Sequence, residues 1–403
     1  MGSRPRERRS AGGVRHWRRL AVTSGLTAVL SLAVVLATYA LPEPRTAPPR
    51  AGAGPAAASA PASVVATEVP SMVAKASPGP SRMPARLTAA QTLLATAKDP
   101  QACAVSFSAA GVSARPELQT QGRLYRSLPI PRRAGAVFAG WYPSRRAAAA
   151  QAVTSRVNGA DVVACPHRQV TLYGAWTTPA ANAAQQVRVP ILMYHWFTPK
   201  PGGEGGWLRQ DYVFTGRFDA EMAYLAGHHF YLPTWDELSA FIDGRLALPH
   251  DSVIITDDDD DADPSWFQLG VPVIDKYRLL STSFVITKYR SAPSPSIWVL
   301  QRSHTDDMHD AGANGRGKMV NYSAAQIAAD MEASAKILGA KEVMAYPFGD
   351  YDDTAKQGLR EAGFGMARTT HYGYVVAGTD KLALPCVRIS FDTSLDQFVA
   401  DVS

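Results

Sequence analysis

Three cysteines in 403 residues are too few for a disulfide-dense scaffold. Net charge is almost as scarce once its position is considered. The chain carries +6, yet residues 1–19 alone hold seven arginines and one glutamate, which accounts for all of it. The remaining 34 basic and 34 acidic side chains cancel. The body of the protein thus lacks the basic surface that a polyanion demands, and no nucleic-acid partner is expected. Long uncharged apolar runs are rare as well, since residues 20–41 are the one of membrane length. What is plentiful is core material: 46% hydrophobic residues exclude a wholly disordered chain, and the length accommodates two ordinary domains.

The apolar run, LAVTSGLTAVLSLAVVLATYAL, has 22 residues and no charge. That is enough to cross a hydrocarbon core of about 30 Å. Arginines precede it, so residues 1–19 are expected to be a cytoplasmic tail. Residues 20–41 are expected to be a transmembrane signal anchor, or a signal peptide if cleaved. Everything beyond is expected outside the cytoplasm, either anchored to the membrane or secreted. Residues 42–85 are dominated by Pro, Ala and Ser, have little apolar surface to bury, and read as a disordered linker.

Residues 86–185 read as a small α/β domain of unassigned role. A strand is expected at 135–142 and a helix at 144–157, with Ser144 as its cap. Further strands are expected at 161–164 and 169–172. Cys103 and Cys165 are candidates for pairing in an oxidising compartment. The phrase VFAGWYPSRRAAAAQAV has a short similarity to SPOR-type peptidoglycan-binding repeats, less than an assignment needs.

From residue 187 onward, short apolar runs alternate with helical stretches. Strands are expected at 189–194, 252–256, 282–286, 297–300, 342–345 and 365–368. Helices are expected at 218–227, 271–277, 322–338 and 354–362, the third capped by Asn321 or Ser323. This alternation indicates an α/β barrel or a parallel sheet. In a barrel the chemistry gathers where strands end. After the first strand comes His195; after SVIIT come Asp257 to Asp261; after IWVL come His304 and His309; after EVMA come Tyr346, Pro347 and Phe348.

Two histidines and one aspartate are a ligand set that leaves a catalytic divalent ion open positions. A second carboxylate beside the ligand accepts a proton from water, and a cation nearby keeps it ionised. A histidine at a strand end returns a proton to a leaving group. Singly, each piece has a plainer reading: a solvated acidic loop, an accidental pair five residues apart, a core histidine. Their convergence at strand ends favours the chemical one. A calcium loop is excluded, because its sixth and twelfth positions want Gly and Glu, and here they are Ala262 and Gln268.

Together VPILMYH, ITDDDDDAD, QRSHTDDMH and AYPFGDYDDTAKQGLREAGF resemble the polysaccharide deacetylases. This is carbohydrate esterase family four, the NodB homology domain. The motifs span roughly residues 187–395, and the domain is expected over 187–403. The branch they resemble is that of poly-N-acetylglucosamine deacetylases. The resemblance implies a distorted β/α barrel and metal-dependent removal of N-acetyl groups from an amino-sugar polysaccharide, such as poly-N-acetylglucosamine, peptidoglycan or chitin. It implies Asp258 as base, Asp259, His304 and His309 as ligands of a divalent metal (zinc is expected), and the Phe348 N–H as oxyanion donor. His195 takes the general-acid role, and Tyr194, Tyr346 and Pro347 contact substrate.

Three departures from the family pattern stand out. The arginine that orients the base is Ala345 here. The late L-x-H motif is Leu384-Pro385-Cys386, without histidine. Asp257 and Asp260 stand where the family has Phe and Gly, which raises local negative potential and calls for a left-handed Asp260. Two alternatives follow: a catalytically impaired cell-wall glycan-binding protein, and an O-acetyl glycan esterase.

Overall fold

The structure is a computed structural model that describes residues 87–403, apart from 127, 260–263 and 291. The tail, the apolar run and the linker lie outside the described residues, as do Asp260 and Asp261. Among the described residues no helix is long and apolar enough to cross a membrane.

The first four strands are β1 (Ala102–Ser108), β2 (Glu117–Thr120), β3 (Val137–Tyr142) and β4 (Gln169–Thr177), in the sheet order β2-β1-β4-β3. β1 and β4 run parallel, and the outer pairs are antiparallel. Ser144 caps the expected helix, its hydroxyl accepting from Ala147 N–H. That helix covers only Arg145–Ala150 and ends at a left-handed Gln151. An alanine run offers little apolar surface, so nothing holds further turns to the sheet. No strand forms at 161–164; Val162 makes a single bridge to Leu124. Cys103 and Cys165 are bonded across a sequence separation of 62.

The second set is β5 (Ile191–Tyr194), β6 (Trp196–Thr198), β7 (Tyr212–Phe214), β8 (Ile254–Asp258), β9 (Ser281–Val285), β10 (Val299–Ser303), β11 (Met344–Ala345), β12 (Ala367–Tyr372) and β13 (Leu384–Arg388). Seven of them close a parallel barrel in the order β10-β11-β12-β13-β5-β8-β9, one of the two architectures that the alternation allows. β6 and β7 form a small separate pair. β13 is a strand the pattern hides, because Pro385 and Arg388 interrupt its apolar run.

Strand alternation sorts the barrel side chains into two layers. Ile191, Met193, Ile254, Phe284, Ala345, Leu384 and Cys386 belong to one core cluster. Leu192, Tyr194, Val253 and Ile255 belong to another, with Phe218, Met222 and Leu225 of the helix Thr215–Gly227. The first layer lines the barrel, and the second faces the helices. Of the two candidate caps for the long helix, Ser323 is the one used, in a reciprocal box with Gln326.

The four-stranded sheet shares its core with the barrel: Phe138, Trp141 and Leu172 join Leu238, Phe241 and Leu246. Backbone pairs stitch the two together, Phe138 N–H to Arg245 O at 3.0 Å and Ala247 N–H to Phe138 O at 2.8 Å. Buried Arg156 donates to Ala247 O at 2.7 Å. At Gly140, with φ +102°, a side chain would run into the Arg156 guanidinium, so this bulge position requires glycine.

Candidate metal and active site

Parity along the strands decides which acidic side chains enter the barrel. Ile191 and Met193 face inward, so His195 follows them, whereas Tyr194 faces the helices. In β8, Ile254 and Thr256 face inward, so Asp258 does too, and Asp257 points to the other side. His304 follows β10 directly, and Tyr346 follows β11.

These strand ends bring Asp259, His304 and His309 together, with one ligand atom from each within 4.8 Å of the others. Asp259 Oδ1 lies 3.2 Å from His304 Nε2 and 3.1 Å from His309 Nε2. His304 Nδ1 is 2.8 Å from Ala345 O, a carbonyl that only accepts, so Nδ1 carries the proton. The Nε2 lone pair then faces the Asp259 carboxylate. Two electron-rich atoms at that distance want a cation between them. Asp259 Oδ1 is buried, with no well-aimed hydrogen-bond donor. The donor set therefore fits a divalent metal. A proton can be that cation as well: although burial works against charge on Asp259, protons on the two histidines hold its carboxyl far below the usual range. Burial likewise opposes protonation of His304 and is outweighed by Asp259, so its pKa is raised and proton and metal compete for one place.

The five-residue spacing of the histidines is made by a loop that Asp330 holds. Its two oxygens each accept a 2.8 Å bond, from Asp306 N–H and Asp307 N–H. Burial raises the Asp330 pKa. Thr305 sits at φ +74°, Asp259 at +64° and Phe348 at +60°. A left-handed threonine is costly, about 1–3 kcal/mol, and persists only where its surroundings impose it. Here Thr305 Oγ accepts from Met308 N–H at 3.2 Å, and Thr305 O accepts from Thr287 N–H at 3.1 Å. The left-handed residue described in the Asp run is thus Asp259.

Asp258 is buried and bonded to the fully buried Arg368, whose Nη2 donates to Oδ2. Its Oδ1 has no hydrogen-bond partner. His195 Nε2 lies 3.8 Å from the same Oδ2. Burial lowers the His195 pKa, and the nearby aspartates only partly offset that. Arg368 is the residue that motif reading does not single out. It stands on β12 directly beside Ala345, its cross-strand partner, where the family's arginine would be. The signal available was an arginine closing the apolar stretch Phe364-Gly365-Met366-Ala367, costly to bury unless a carboxylate is near.

A cavity of about 430 Å³ spans His195, Asp258, Asp259, His304, His309, Tyr346 and Phe348. The Phe348 ring lies 4.5 Å from the His309 ring. Two expected substrate contacts need correction. Tyr194 is fully buried on the helix side, donating to Glu221 at 2.8 Å, because strand parity turns it away from the cavity. Pro347 is buried in the turn and does not line the cavity. Cys386 occupies the missing histidine's place, buried with its thiol 3.1 Å from Thr369 O.

No family model matches the chain. Curated relatives include the poly-β-1,6-N-acetyl-D-glucosamine N-deacetylases of Staphylococcus aureus strains MRSA252 and MSSA476. Each is 23% identical over 202 residues, spanning 45% of this chain and 68% of the relative. Similar solved structures include a Streptococcus pyogenes deacetylase in complex with acetate (22% identity, 54% of this chain and 99% of that one, TM-score 0.45). Another is IcaB from Ammonifex degensii (21% identity, 54% and 97%, TM-score 0.45). The resemblance carried by the four motifs is thus to proteins that the curated comparison also finds.

Proposed function

We propose that this protein is a metal-dependent hydrolase that removes N-acetyl groups from an extracellular amino-sugar polysaccharide. The carrying observation is the cluster of Asp259, His304 and His309 beside an Asp258 that Arg368 anchors. The names of the curated relatives support a poly-β-1,6-N-acetylglucosamine-like polymer as the substrate class. Zinc suits a site of two imidazoles and one carboxylate.

A divalent ion held by Asp259, His304 and His309 would supply Lewis-acid polarisation and a water acidic enough to attack near neutral pH. Asp258 then accepts the water proton on its unpartnered Oδ1, while Arg368 fixes the other oxygen. Phe348, left-handed and lining the cavity, is the proposed backbone N–H donor to the developing oxyanion. His195, its pKa lowered by burial and its Nε2 3.8 Å from Asp258 Oδ2, takes the water proton from Asp258 and passes it to the departing amine. Acetate and a free amine result.

The catalytic half is proposed to work outside the cytoplasm, attached through residues 20–41. The uncharged run behind an arginine-rich head supports this. So does the Cys103–Cys165 bond, because disulfides persist in oxidising compartments.

The test is acetate release from poly-β-1,6-N-acetylglucosamine, chitin, peptidoglycan and O-acetylated xylan, with and without a chelator. Release that stops with chelator and in D258A is expected. Full release by D258A with metal present would sink the assignment. Release only from O-acetylated xylan would instead mark an esterase, and binding without release a glycan-binding protein.

A further inference from the structure

The indole of Trp207 is 88% exposed, although it opens a turn that is pinned on every side. The turn, Trp207–Asp211, follows the glycine-rich stretch after β6. Asp211 is ion-paired with Arg388 at the end of β13. Gln210 donates to Asp392 at 2.6 Å, and Arg209 donates to Gly202 O at 3.1 Å. The Arg209 guanidinium lies over the Phe391 ring at 3.9 Å. Beneath it Gly203, at φ +80°, has no room for a side chain, which would strike Arg209 and Phe391. A single exposed ring is ordinary on a protein surface; what sets this one apart is a fixed support at the edge of the cavity.

What lies beside the ring indicates a ligand. Trp207 lines the same cavity as His195, Asp258 and the three candidate ligands, together with Trp196, Asp211, Thr370 and Arg388. Aromatic faces next to charged and hydroxyl groups suit a sugar ring, which has an apolar C–H face and a polar edge. A membrane surface suits the turn less well, because its charges are paired, Asp211 with Arg388 and Asp392 with Arg209, which leaves no basic excess for anionic lipid.

We infer that Trp207 is a stacking platform for a second sugar ring. It would hold the unit next to the one being deacetylated, so the site takes a polymer rather than a single sugar. This rests on the deacetylase reading and adds a substrate-length requirement. Trp207 is a binding residue here and takes no part in proton transfer.

The test compares the full chain with W207A and W207F on N-acetylglucosamine and its β-1,6-linked pentamer. In W207A the loss of kcat/KM on the pentamer should exceed the loss on the monomer by about ten-fold or more, mainly through KM. W207F should recover most of it. Equal losses on both, or none on the pentamer, would overturn the inference. Pentamer binding to H304A, measured by isothermal titration, separates the two proposals. If W207A/H304A binds the pentamer at least about ten-fold more weakly, the platform stands even where no acetate is released. If pentamer binding is intact but W207A loses affinity for vesicles of phosphatidylglycerol and phosphatidylethanolamine, Trp207 is a membrane contact and the platform is wrong.

Discussion

Arg368 and Ala345 are cross-strand partners on β12 and β11, and both face into the barrel. The guanidinium that anchors Asp258 therefore comes from the strand beside the one where the family motif carries it. One register position exchanged between neighbouring strands keeps a cation at nearly the same point. Ala345 leaves the room that the Arg368 side chain occupies.

R368A should abolish most turnover, with kcat falling about a hundred-fold or more. It should also destabilise the fold by about 3–5 kcal/mol, because it strands a buried Asp258. R368K, which keeps the charge but loses the fork, should fall between. Acetate release and urea melts check both. Wild-type turnover by R368A would show that the pair is structural only.

Zinc added to metal-stripped protein should raise its Tm, by about 2.7 kcal/mol of stabilisation at one hundred times Kd. H304A and H309A should lose both the shift and the stoichiometric ion. A D259N variant that still binds one ion per chain by elemental analysis would exclude this ligand set.

D330A should spare the fold and weaken the metal. Asp330 holds the Asp306 and Asp307 N–H groups, and through them the loop that carries His309. Metal affinity should fall by about 10–100-fold, as for other supports of ligands. Equal zinc affinity in isothermal titration would count against this role.

Stability should decline as pH rises from about 5 to about 8. Burial pushes Glu221 up to about 8 from an ordinary value of 4.5. Between these values the folded protein holds a proton that the unfolded chain has released, so folding is penalised increasingly with pH. The full penalty is on the order of 4–5 kcal/mol. E221Q, which keeps an acceptor for the Tyr194 hydroxyl, should flatten the profile and be the more stable protein above pH 8. Parallel denaturation curves for the two proteins across this range would refute it.

Loss of the Cys103–Cys165 bond should cost about 2–4 kcal/mol, since it closes a long loop. The C103S/C165S variant should show a lower urea midpoint. Acetate release at low temperature should be unaffected, because the bond joins β1 to the turn before β4 and does not line the cavity.

Much of the site was legible in the chain because strand ends are local properties: His195, the Asp run and the histidine pair each follow an apolar run. Facing was not legible, because ILMY is apolar throughout, and only the structure turns Tyr194 to the helices and His195 to the cavity. The order of the four motifs indicates a barrel whose strands deliver them to one end. Residues 1–19 hold the whole net charge, which assigns the basic composition to a tail. Tertiary structure alone decided the rest. Arg368 meets Asp258 across 110 residues, Asp330 shapes a loop more than 20 residues away, and Arg388 at the end of β13 pins Asp211 of the Trp207 turn across 177 residues. Such contacts depend on which strands become neighbours, and closure of the barrel, not any local pattern, sets that.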